Sequence, residues 1–159
     1  MDVRGDRVTE LQQEVAKTLL ADAPEGWEQL GCRFTVVGGY GSLNAFAVVN
    51  GDKERIRAAM VGSHGLDLQE AMYTPEKGTW WSMTCSVEPT RAYHFTFNYY
   101  DKPVEFGEGE PVLDESWERE LRHFPRPWAL IPDWNPVKQK YSDQEWAAEV
   151  ERFNREGHH

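Results

Sequence analysis

Two neighbouring runs, TWWSMTCSV at 79–87 and AYHFTFNYY at 92–100, constrain this chain more than any other stretch. Both are rich in β-branched and aromatic residues, and the four residues between them, Glu88-Pro89-Thr90-Arg91, have the composition of a hairpin loop. In the second run Tyr93, Phe95, Phe97 and Tyr99 point one way and His94, Thr96, Asn98 and Tyr100 the other, because side chains alternate along a strand. A two-stranded ribbon with one aromatic face is not stable alone in water. The rest of the chain must supply further strands and a layer to cover that face.

Residues 29–60 supply the strands. GCRFTVV, LNAFAVV and RIRAAMV are separated by GGYGS and NGDKE, and the Asn50-Gly51 pair between strand-like runs is a strong hairpin signal. In the third run Arg55 and Arg57 alternate with Ile56 and Ala58, which predicts one wet and one dry face. The glycine-rich 38–42 stretch has neither the Lys nor the following helix of a phosphate loop and reads as a hairpin turn. Helices supply the cover. Leu11, Val15, Ala16, Thr18 and Leu19 recur at helical spacing over 9–21, ended by Pro24 and Gly26. A short helix is expected over 66–73, a surface loop over 101–111, and a helix over 114–124 with Asp114 or Ser116 as its cap. Four prolines in the thirteen residues FPRPWALIPDWNP impose an extended crossing held down by Trp128, Ile131 and Trp134. Ser142 with Glu145 three residues on is a capping box opening a last helix over 142–155, whose apolar stripe is Trp146, Val150 and Phe153. Strand runs without regular β-α alternation predict an α+β single domain over 1–159: an antiparallel sheet of about five strands with N-terminal, middle and C-terminal helices packed on it.

Composition narrows the function. Hydrophobic residues make up 40% of the chain and aromatics 13%, enough for a packed core, and a domain of this size buries roughly 70% of its unfolded surface. The 27 acidic and 17 basic side chains give a formal charge of −10, which argues against direct nucleic-acid binding and against adhesion to anionic lipid. No run is long and apolar enough to cross a membrane and no signal-peptide pattern opens the chain, so a cytosolic protein is expected. Cys32 and Cys85 lie in apolar strands and read as buried thiols.

Candidate chemistry is sparse. His64, His94 and His123 are scattered, and His158 and His159 close the chain either as a tag remnant or as a natural end. No zinc-ligand spacing occurs, so neither a metal nor a cofactor is expected. Ser63 and His64 lack the strand-to-helix setting of a nucleophile elbow. Carboxylate pairs such as Glu108/Glu110 and Asp114/Glu115 lie where solvation keeps them ordinary. One reading is a small enzyme built around His94, Asn98 and Tyr93, to be recognised by a pocket joining them; another is an acidic adaptor or ligand-binding module. Of the seven tryptophans, Trp27, Trp80, Trp81, Trp117, Trp128, Trp134 and Trp146, most are expected in the core and one or two as exposed interface anchors.

The acidity is local. Residues 101–120 hold Asp101, Glu105, Glu108, Glu110, Asp114, Glu115, Glu118 and Glu120 against only Lys102 and Arg119. That is either a solubilising loop or a docking surface for a basic partner, with electrostatically steered association.

The order of elements, together with Pro24-Glu25-Gly26-Trp27, Gly78-Thr79-Trp80 and Phe97-Asn98-Tyr99-Tyr100-Asp101-Lys102-Pro103, resembles the YezG-type immunity proteins of bacterial polymorphic toxin systems. LRHFPRPWALIPDW at 121–134 is similar to the Phe-Pro-Arg…Ile-Pro-x-Trp closing element of actinobacterial members. The resemblance covers residues 9–136; the helix after Tyr141 is a departure from the shorter members. It implies a non-catalytic cytosolic protein that binds and neutralises a secreted toxin, often a basic nuclease. The toxin-binding residues would then be Glu105, Glu108, Glu110, Asp114 and Glu115, with Tyr99, Tyr100 and Trp117 as anchors.

Overall fold

The computed structural model describes residues 3–103 and 112–157. The chain runs as helix α1 (Val3–Ala21), strands β1 (Trp27–Val37), β2 (Tyr40–Val49) and β3 (Asp52–Arg55), helix α2 (Met60–Met72), strands β4 (Ser82–Val87) and β5 (Tyr93–Asn98), and helix α3 (Asp114–His123). A single 3-10 turn (Trp128–Leu130) and helices α4 (Pro136–Lys140) and α5 (Asp143–Arg155) follow. The five strands form one antiparallel sheet in the order β3-β2-β1-β4-β5. This is the α+β domain expected from the sequence.

Alternation decides the layers. Leu30, Cys32, Phe34 and Val36 of β1 and Met83, Cys85 and Val87 of β4 project to one face, where α1 contributes Leu11, Val15, Ala16 and Leu19 and α2 contributes Val61 and Leu68 to the same core. Tyr93, Phe95, Phe97 and Tyr99 extend this apolar face along β5, half-buried. Cys32 and Cys85 sit opposite each other in the β1–β4 register as free thiols. Burial pushes their pKa values up to about 11 and about 12.

The Asn50-Gly51 turn forms as expected, both residues having positive φ (52° and 81°). The third strand differs from expectation. Pairing begins at once after this tight turn, Val49 opposite Asp52, so the strand occupies 52–55 instead of the run RIRAAMV at 55–61. The chain then leaves the sheet through Ala58, at φ +42°, where Asp22 Oδ2 accepts the Ala58 N–H at 2.6 Å. Helix α2 accordingly starts at Met60, six residues before the expected Leu66, and takes in Gly62-Ser63-His64-Gly65. Gly65 does not break it because the missing Cβ is what the packing needs: one would lie 2.6 Å from the Phe34 ring.

Helix α3 is capped by neither Asp114 nor Ser116. Leu113 is its N-cap, without a side-chain bond, and Asp114 and Glu115 occupy the first turn, where carboxylates favour the helix dipole. The proline segment is fixed as expected, with Ile131 buried and Trp128 and Trp134 half-buried. The capping box of α5 is complete, Ser142 and Glu145 exchanging side-chain to backbone bonds of 2.9 and 3.1 Å. Leu121, Ile131, Val137 and Trp146 dock this C-terminal part on α3 as a second small core.

Candidate functional site

Two of the acids of the 101–120 stretch are spent inside the protein. Glu118 is 7% exposed, accepts from the Tyr141 hydroxyl at 2.7 Å and pairs with Arg122 and Lys140 at 3.3 and 3.2 Å; it ties α3 to α4. Glu120 is 3% exposed; one carboxylate oxygen accepts the Gly38 N–H at 2.8 Å and the other the Gln69 Nε2 at 3.0 Å. Burial pushes its pKa up to about 7 against the opposing pull of the Gly38 bond, Arg126 and Gln69. Of the acids assigned to binding, Asp114 and Glu115 are exposed on α3; Asp101, which is not among them, is exposed next to the two tyrosines. Glu105, Glu108 and Glu110 lie outside the described residues.

Gly38 is itself a test of this arrangement. It has φ +62°, and a Cβ there would lie 2.5 Å from the Ser116 carbonyl oxygen. Gly38→Ala is expected to destabilise by roughly 2–3 kcal/mol in urea unfolding, since both the left-handed backbone and the α3 contact resist a side chain.

Asp101 belongs to a corner at the end of β5. Asn98 turns the chain, its Oδ1 accepting the N–H groups of Tyr100 and Asp101 at 3.2 and 2.8 Å. Three successive carbonyls are then pinned from three directions. Tyr99 O accepts from Arg126 Nη1 at 2.7 Å, Tyr100 O from Trp134 Nε1 at 2.9 Å, and Asp101 O from Trp81 Nε1 at 2.9 Å. Arg126 also donates to Thr79 O at 2.7 Å and lies 4.3 Å above the Trp81 ring. Burial lowers its pKa, offset by Tyr100, Glu120 and the other tyrosines.

This pinning corrects the expectation for Trp117. At 2% exposure it is not an interface anchor; its ring packs edge-on against Trp81 and Trp134 at 4.9 and 5.2 Å and so brings α3 to the corner. None of the seven tryptophans is exposed: Trp80, Trp81 and Trp146 are buried with it and Trp27, Trp128 and Trp134 are half-buried. At this corner the exposed aromatic is Tyr100, at 45%; among the described residues Tyr40, in the β1–β2 turn region, is also exposed. Tyr99 is half-buried beneath the Lys77 ammonium, 4.2 Å from its ring, and burial raises its pKa, assisted by Tyr100 and opposed by Arg126. Beside them an open groove of about 400 Å³ runs over Ser82, Thr84, Thr96 and Asn98.

The residues of the enzyme alternative are not brought together. His94 is exposed on the open face of the sheet while Tyr93 packs on the helix side, and the groove beside Asn98 reaches neither. Among the described residues no grouping of three or more His, Cys, Asp or Glu side chains could hold a metal. No helix among them is long and apolar enough to cross a membrane. Compared with known proteins, the chain matches no family model and no curated protein.

The pinning residues Arg126, Trp81 and Trp134 were not among the sequence candidates. Their only signal is Arg126, the one basic residue of the apolar, proline-rich segment 124–136.

Proposed function

We propose that this chain is a non-catalytic immunity protein that binds and neutralises a secreted bacterial toxin, with a contact surface centred on Tyr99, Tyr100 and Asp101 and extended by Asp114 and Glu115. The observation that carries the reading is the exposed Tyr100 on a backbone whose carbonyls are held by Arg126, Trp134 and Trp81. A corner that cannot rearrange gives up little entropy on binding, and tyrosine on a rigid support is a recurrent interface anchor. The exposed carboxylates of Asp101, Asp114 and Glu115 suit a basic partner such as a nuclease whose own cleft is built for phosphate. The resemblance to YezG-type proteins points the same way, and a cytosolic location belongs to the same proposal. An acidic adaptor would use the same surface, so the identity of the partner separates the two.

The test is affinity for the toxin encoded beside this gene, measured by calorimetry and by protection of cells expressing it. Tyr100→Ala is expected to weaken binding at least about tenfold. Reversing Asp101, Asp114 and Glu115 to Lys is expected to slow association and to abolish its weakening by salt. Unchanged affinity and unchanged salt dependence in both variants would remove this corner from the interface.

A further inference from the structure

A cavity of about 200 Å³ opens between the β1–β2 turn, α2 and the end of α3. Exposed Leu66, Glu70 and His123 stand at its mouth, and buried Val36, Gln69 and Glu120 form its floor. Drug-sized ligands need about 300 Å³ or more, whereas a cavity of about 150 Å³ takes one benzene. This volume therefore suits a single group the size of a side chain. No Lys or Arg lines it, and two carboxyl groups share the lining with the hydrocarbon of Val36, Leu66 and Phe124.

Glu120 has few partners for a buried acid. Its two oxygens accept one bond each, from the Gly38 N–H and the Gln69 amide, although a carboxylate has room for about four donors. Both partners are neutral, and among the described residues no Lys or Arg forms an ion pair with it. Arg126 acts on it only through space and directs its Nη donors to the carbonyls of Thr79, Tyr99 and Leu130. Buried charges are ordinarily paired.

We propose that this cavity binds one alkyl cation, an ammonium or guanidinium on a short apolar stem, whose charged end donates to Glu120 while the stem lies against Val36, Leu66 and Phe124. That chemistry belongs both to a free aliphatic amine and to a Lys or Arg side chain of a partner. A hard metal ion is a poorer match, since it takes about six or more oxygen ligands and the walls are hydrocarbon. The toxin reading does not use this cavity, so the proposal stands apart from it. A bound cation favours the ionised carboxyl, which couples binding to release of a proton from Glu120. The other charged or titratable groups around it are Glu70 of α2, His123 of α3 and Arg126 beyond α3; the β1–β2 turn meets it with the Gly38 amide.

The test is an NMR titration of the full chain with n-butylamine. Saturable shifts are expected at the Gly38 and Gln69 amides, with a dissociation constant at least about tenfold below that of n-butanol. At pH 6 the carboxyl carbon resonance of Glu120 is expected to move toward its ionised position as amine is added. Affinity is expected to fall roughly tenfold for each pH unit below about 7. Glu120→Gln is expected to bind amine and alcohol alike, and the wild-type comparisons stand without that variant. A capped Gly-Lys-Gly peptide separates the two sources: saturation at the same amides assigns the cavity to a protein side chain, and binding of butylamine alone assigns it to a free amine. Equal affinity for butylamine, butanol and butyrate overturns the proposal. So do Gly38 and Gln69 amides that the amine does not shift.

Discussion

Arg126→Met is expected to cost about 3–5 kcal/mol of stability, enough to threaten folding of a domain whose total margin is about 5–15 kcal/mol. The methionine would fill much of the space but would leave the carbonyls of Thr79 and Tyr99, both at 2.7 Å from the guanidinium, without a donor. Buried acceptors stripped of their partner cost more than the bond was worth. The ring contact with Trp81, at 4.3 Å, would go as well. Arg126→Lys is expected to recover only part of the loss, because one ammonium on a flexible stem cannot span the two carbonyls as a planar fork does. Chemical unfolding gives the magnitude. Near-ultraviolet circular dichroism, to which the packed Trp81–Trp117–Trp134 cluster contributes, reports whether the corner loosens before the whole domain does.

The second large effect is a pH dependence carried by Glu120. Its folded pKa of about 7, against an ordinary 4.5, means that the folded chain holds a proton there over a range in which the unfolded chain has released it. The contribution is complete below pH 4.5, is lost as pH rises through 4.5 to 7, and is constant above. By linkage, a gap of this size corresponds to about 3 kcal/mol. Glu145 and Glu149, whose pKa values are lowered by the Ser142 backbone bond and by Arg152 respectively, act oppositely and only in more acidic solution. The decisive measurement is therefore the difference between wild type and Glu120→Gln in urea unfolding from pH 5 to 8. Wild type is expected to lose stability relative to the variant as pH rises, and parallel curves would show that Glu120 does not titrate in this range.

The parts of the fold that sequence revealed are those whose signal is local. Strand alternation placed Tyr93, Phe95, Phe97 and Tyr99 on the covered face, the Asn50-Gly51 pair marked a turn, and Ser142 with Glu145 marked a helix start. Each depends on residues a few positions apart. The misreadings came where partners are distant. Helix α2 begins six residues before the span that periodicity predicts, and what fits Gly65 into it is Phe34, about thirty residues earlier, which occupies the space a side chain there would take. Trp117 is an anchor candidate on sequence alone because neither Trp81 nor Trp134 is near it in the chain. Glu118 and Glu120 count as surface charge on sequence alone because their partners Tyr141, Gln69 and Gly38 are 23, 51 and 82 positions away. The tyrosines and exposed acids of the candidate surface were legible; the residues that hold them still were not.

The way Tyr99, Tyr100 and Asp101 are held separates shape from identity. Arg126, Trp134 and Trp81 grip main-chain oxygens, which every amino acid possesses, so the path of the corner does not depend on which side chains it displays. Substitutions there can alter the chemistry shown to a partner while the support stays in place. At its exposed positions, Tyr100 and Asp101, a surface built in this way can change the chemistry it shows without putting the fold at risk.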